Sequence, residues 1–158
     1  MKKMNNSSSE AFSIKLSKLA IFLVAAIAVA MCVTGPFLVK VIMAKASPFI
    51  TGTPRYLMLL IGGYICAAIL FAFLFLLYGL ISRIEMGNVF VPENVKALSN
   101  LARIVFAATV ITGIIGICCT LMLLIVTATA SFIIPIICVV KNAFGKAVEM
   151  KDELDYTV

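Results

Sequence analysis

The chain has 158 residues, 63% of them hydrophobic and 13% charged, with thirteen Lys and Arg against seven Asp and Glu. Soluble domains run near a quarter charged and about half apolar, so a water-soluble fold of this size is excluded, because its surface could not hide the excess. The formal charge of +6 points to anionic lipid head groups. Direct nucleic-acid binding is not expected, since phosphate neutralisation needs a dense exposed basic patch.

Residues 1–18 read MKKMNNSSSEAFSIKLSK, expected to be a cytosolic tail in which the polar stretch Asn5 to Ser9 is loose. The run from Leu19 to Val39 has 21 residues and no charge, and about 20 suffice to cross a hydrocarbon core. Ala28-Val29-Ala30 resembles a signal-peptidase site, and Val29 to Cys32 comes near a lipoprotein box. Met31 spoils the second, and the apolar run continues past Ala30 further than a cleaved leader needs. An uncleaved first span is therefore expected, with Gly35-Pro36 predicting a kink or stop near its far end.

Lys40 to Arg55 forms a short connection, with Ser47-Pro48 and Thr53-Pro54 as turn signals. The second span is expected over 56–81. Inside it Gly63 with Ala67, and Ala68 with Ala72, have the spacing that lets helices approach closely. That spacing reads first as packing within one subunit and second as the seam of a homo-oligomer.

A charged interval follows, SRIEMGNVFVPENVKALSNLAR over 82–103. Gly87-Asn88 predicts a turn, and Pro92 suits the first helical position with Glu93 in the first turn. Val91 is a poor cap. Val91, Val95, Leu98, Ala102 and Val105 then follow helical spacing, with Lys96, Asn100 and Arg103 opposite. The pattern predicts an amphipathic cytosolic helix that lies along the membrane surface and leads into the third span.

From Ile104 to Val140 no residue is charged over 37 positions, too long for one span and short for two with a polar loop. The chain must double back within this run. One reading puts the turn at 112–116, TGIIG, with spans over 98–112 and 118–140; the other puts it at 127–131, TATAS. Pro135 falls inside span four, and residues 141–158 carry the helix out into a mixed-charge cytosolic tail.

Orientation follows from basic residues. With the N-terminus inside, ten Lys and Arg fall inside and three, Lys40, Lys45 and Arg55, outside; all seven acids also fall inside. The expected architecture is all-α: an integral membrane bundle of four transmembrane helices forming one domain, in a bacterial cell membrane with both termini cytoplasmic.

The span interiors hold hydroxyls and thiols but no ionisable group of the kind that marks a pump or enzyme. No nucleophile–base pair, carboxylate dyad or phosphate-cradling loop is present, and the five cysteines show no metal-ligand spacing. Neither catalysis nor a cofactor or metal is expected.

GNVFVPENVKAL, followed after the uncharged run by NAFGKAVEMKDELDYTV, resembles the bacterial four-helix membrane family known only as a domain of unknown function, the family numbered 2975. Gly87, Phe90, Pro92, Glu93, Asn94, Val95 and Leu98 match its first signature. Phe144, Ala147, Glu149, Lys151, Glu153, Asp155, Thr157 and Val158 match its second. Val91 departs from the Ser or Thr usual there, and the polar loop usual between spans three and four is missing. Members are often encoded beside a Cro/C1-type helix-turn-helix regulator, so the resemblance implies a regulatory pairing; it brings no catalytic or ligand residues.

The expected role is thus a non-enzymatic membrane protein that docks a cytosolic factor, such as a helix-turn-helix regulator, through Glu93, Asn94, Lys96, Arg103, Glu149, Asp152 and Asp155. Two other readings fit the size and span count: an immunity protein against a membrane-active peptide, and a minor channel or transporter for an uncharged solute.

Overall fold

The structure, a computed structural model, describes the backbone of residues 2–45, 47 and 49–155, and the side chains of these except 2–11, 152 and 155. Four helices follow one another: α1 (Lys2–Met43), α2 (Thr53–Glu85), α3 (Pro92–Cys119) and α4 (Met122–Asp155), with no strand among the described residues. Each is long and apolar enough to cross a membrane. Hydrocarbon offers backbone N–H and C=O groups no partners, so a spanning segment satisfies them internally as a helix. Outward-facing Phe75 and Phe132 are 78% and 74% exposed, which only a lipid solvent tolerates.

The helices pack in chain order, α1 on α2, α2 on α3 and α3 on α4, and among the described residues no Cα of α1 lies within 8 Å of α3 or α4. The α1–α2 loop and the α3–α4 turn share one end of the molecule, the loop end. There Val39, Leu59, Ile115 and Cys119 form a buried cluster. The α2–α3 loop lies at the opposite, terminal end, where Leu80, Ala97, Leu98 and Leu101 form a second cluster, with Phe144 of α4 against it.

Several expectations need correction. The stretch Asn5 to Ser9 is not a loose tail, since α1 is helical from Lys2. No Gly or Pro interrupts it, and extending a formed helix adds one hydrogen bond for each residue fixed. Pro36 does not stop α1, which continues to Met43. A proline deprives the carbonyl four residues earlier of its donor, and here that carbonyl, Cys32, accepts a hydrogen bond from the Tyr64 hydroxyl of α2 at 3.2 Å.

The turn between the last two helices lies at neither 112–116 nor 127–131 but at Thr120–Leu121. Gly113 and Gly116 are helical; at the second α4 packs close, a Cβ there meeting the Leu124 backbone N at 3.3 Å. The threonines of TATAS bond back into α4, Thr127 to the Leu123 carbonyl at 3.0 Å and Thr129 to that of Ile125 at 2.9 Å. Thr127 also lies 3.1 Å from the Thr112 hydroxyl, which itself donates to the Ala108 carbonyl. A two-residue reversal divides the uncharged run between two helices without a polar loop.

The small-residue seam is also displaced by one position. Gly63, Ala68 and Ala72 are exposed, whereas Gly62 is buried, and a Cβ on Gly62 would collide with Ile115 Cδ1 and meet its Cγ1 at 3.3 Å. Gly62→Ala should therefore lower stability by about 1–3 kcal/mol through overpacking, while Gly63→Ala, whose Cβ meets nothing within 4 Å, should be neutral or slightly stabilising. Thermal unfolding of the two variants in one detergent checks the contrast.

Candidate interaction surface

The terminal end is built around the α2–α3 loop. α2 closes with Met86 and Gly87 donating to the Ser82 and Ile84 carbonyls, and Gly87 takes φ +83°, a left-handed conformation that glycine adopts without a Cβ penalty. The chain then extends through Val91, which caps α3 with no side-chain bond, as its apolar side chain dictates. Asn94 does the work from inside the helix. Its amide nitrogen donates to the Asn88 and Val89 carbonyls, both at 2.8 Å, and folds the loop back onto the first turn of α3.

Asn94 is wholly buried, so it is not a docking residue, contrary to expectation. Of the expected apolar stripe, Leu98 and Val105 are buried and Val91, Val95 and Ala102 half-buried, with Lys96, Asn100 and Arg103 exposed opposite; the buried face is widened by Asn94, Ala97 and Leu101. α3 is also one continuous helix from Pro92 to Cys119, with no separate surface helix leading into it, because Ala97, Leu98 and Leu101 pack against α2 and α4 as a spanning segment does.

Phe90 and Phe144 meet with ring centroids 5.9 Å apart, joining the two stretches that carry the signatures. Beyond the uncharged runs, α3 from Pro92 to Arg103 and α4 from Lys141 to Asp155 extend roughly 18 and 22 Å at 1.5 Å per residue. Their outer faces expose Glu93, Lys96, Arg103 and Glu149; Arg103 reaches Asn100 Oδ1 at 3.5 Å. Asp152 and Asp155 lie on the last turns of α4, their side chains outside the described residues. Beside this pair, Lys18 of α1 donates to Glu85 of α2 and stands 5.4 Å from the Tyr78 ring centroid.

The loop end is held by Arg55, which sequence reasoning counted only as an external charge. It is 4% exposed, and its guanidinium donates to Cys119 O at 3.1 Å, Lys45 O at 2.9 Å, Ile42 O at 3.4 Å and Met43 O at 3.5 Å. These are carbonyls at the C-terminal ends of α3 and α1, which carry partial negative charge and lack helical donors. The loop adds Ile50 N–H to Cys118 O at 3.2 Å. A signal existed: a cation in the first turn of α2 opposes that helix's own dipole and calls for another partner.

Four helices, each able to cross a bilayer, and two capped ends define a multi-pass all-α membrane protein. The chain belongs to the family described as "Protein of unknown function (DUF2975)", whose model matches residues 3–158. No curated protein and no solved structure matches it.

Arg55→Gln should cost about 2–4 kcal/mol, since several buried carbonyls lose a charged donor, and Arg55→Lys should recover only part, because an ammonium lacks the planar fork. Reversible unfolding in detergent measures both. Asn94→Ala should cost about 2 kcal/mol by stranding two carbonyls, and proteolysis should find its α2–α3 loop cut faster than the wild type's.

Proposed function

We propose that this is a non-enzymatic regulatory membrane protein that holds a soluble cytosolic factor against its terminal end. The reading rests on the terminal ends of α3 and α4, whose outer faces carry exposed Glu93, Lys96, Arg103 and Glu149. Exposed charges of both signs on a fixed helical frame suit recognition of a complementary surface, because charge pattern sets partner choice and encounter rate. A helix-turn-helix regulator is the proposed partner, on the strength of the family context. The terminal end faces the cytoplasm in this reading, as ten Lys and Arg lie there against Lys40, Lys45 and Arg55 at the loop end.

The test is co-purification from native membranes with a soluble helix-turn-helix regulator encoded beside the chain tagged. Wild type should retain it. Lys96→Glu with Arg103→Glu and Glu149→Lys should reduce retention by roughly tenfold or more while leaving membrane insertion and helix content unchanged. A wild-type chain that retains no soluble regulator, or a reversed chain that retains it equally, removes the proposal.

A further inference from the structure

The open packing order leaves a cleft of about 460 Å³ towards the loop end, walled by α1 and α2 and floored by Thr112, Ile115, Leu123 and Val126 of α3 and α4. On α1 its wall runs from Ala28 to Val39 and on to Ile42, and the rise from Ala28 to Val39 is roughly 16 Å at 1.5 Å per residue. One leaflet of a hydrocarbon core of about 30 Å is roughly that deep. The wall is apolar, and its hydroxyls are spent, Tyr64 on Cys32 O and Thr112 on Ala108 O. It offers a polar solute nothing.

Charge marks the rim. Lys40 and Lys45 are exposed at the end of α1 and just beyond it, the first next in the chain to Val39 and the second three residues after Ile42, both of the wall. Arg55 is committed to carbonyls, and among the described residues Lys45 Nζ has as hydrogen-bond partner a weak acceptor, Met122 Sδ, at 3.4 Å. No acid occurs between residues 11 and 84 or between 94 and 148, so this end holds cations that no side-chain carboxylate answers. A second copy seated here would bring like charges together.

We infer that the cleft binds one acyl chain of an anionic phospholipid from the surrounding bilayer, with its headgroup phosphate over Lys40 and Lys45. The apolar wall takes the chain, the depth matches a leaflet, and the lysines select the headgroup. This site lies at the end opposite the proposed docking face and stands independently of it.

The experiment offers purified full-length protein, in mixed micelles, an equimolar mixture of phosphatidylglycerol and phosphatidylcholine, and reads bound lipid by native mass spectrometry. Wild type should retain one lipid with a roughly tenfold preference for phosphatidylglycerol. Gly63→Leu places its side chain into the cleft, where a Cβ meets nothing within 4 Å, and should lose the lipid while keeping the wild-type melting profile. Lys40→Gln with Lys45→Gln, exposed changes that leave packing alone, should keep a lipid and lose the preference. Equal retention by Gly63→Leu, equal binding of the two lipids by wild type, or a second copy in place of a lipid overturns the inference. If Gly63→Leu misfolds, the lysine pair decides: an unchanged preference overturns it as well.

Discussion

One guanidinium sets the geometry of the loop end. Arg55 stands in the first turn of α2, where its own helix dipole is unfavourable, yet it is buried against the C-terminal carbonyls of α1 and α3. Burying a charge is costly unless it is paired and hydrogen-bonded, and two helix ends supply both conditions without a carboxylate. The bond set explains how α1 and α3 share a cluster through Val39, Ile115 and Cys119 although, among the described residues, their Cα atoms do not approach within 8 Å. Arg55 fastens the ends, and the wedge left below it is the apolar cleft.

The same accounting of polar groups governs the interior. Where Pro36 frees the Cys32 carbonyl, Tyr64 answers it from the next helix. Thr109, Thr112, Thr127 and Thr129 donate to carbonyls four residues back. In lipid an unanswered donor or acceptor costs several kcal/mol, so these hydroxyls serve structure before they serve any passing solute. At the terminal end the Lys18–Glu85 pair fixes α1 to α2, and Phe90 against Phe144 fixes the α2–α3 loop to α4. Neighbouring helices are thus tied beyond their apolar seams.

Substituting Arg55 or Asn94 tests features that composition does not announce. Arg55 looked like a loop charge because its neighbours in the chain are turn residues, and its real partners lie 10 to 13 and 64 residues away in sequence. Asn94 enters the sequence reading only as a residue of the first signature and a docking candidate. Its partners are the nearby Asn88 and Val89 carbonyls, and only the fold of the loop aims them inward. Helical spacing puts Lys96, Asn100 and Arg103 on the outer face, and the structure exposes all three.

What sequence alone determined is whatever depends on distance along the chain. The thickness of hydrocarbon against the length of uncharged runs dictates four spanning helices. The special backbone needs of glycine and proline place the reversal at Gly87 and the start of α3 at Pro92. Tertiary structure decided the rotation of each helix about its axis, and with it the choice of Gly62 over Gly63 and the turn at Thr120–Leu121. The reason is that lipid and neighbouring helix are equally apolar. A spanning sequence therefore carries little periodic contrast between its two faces, and packing shape has to choose where hydropathy is silent.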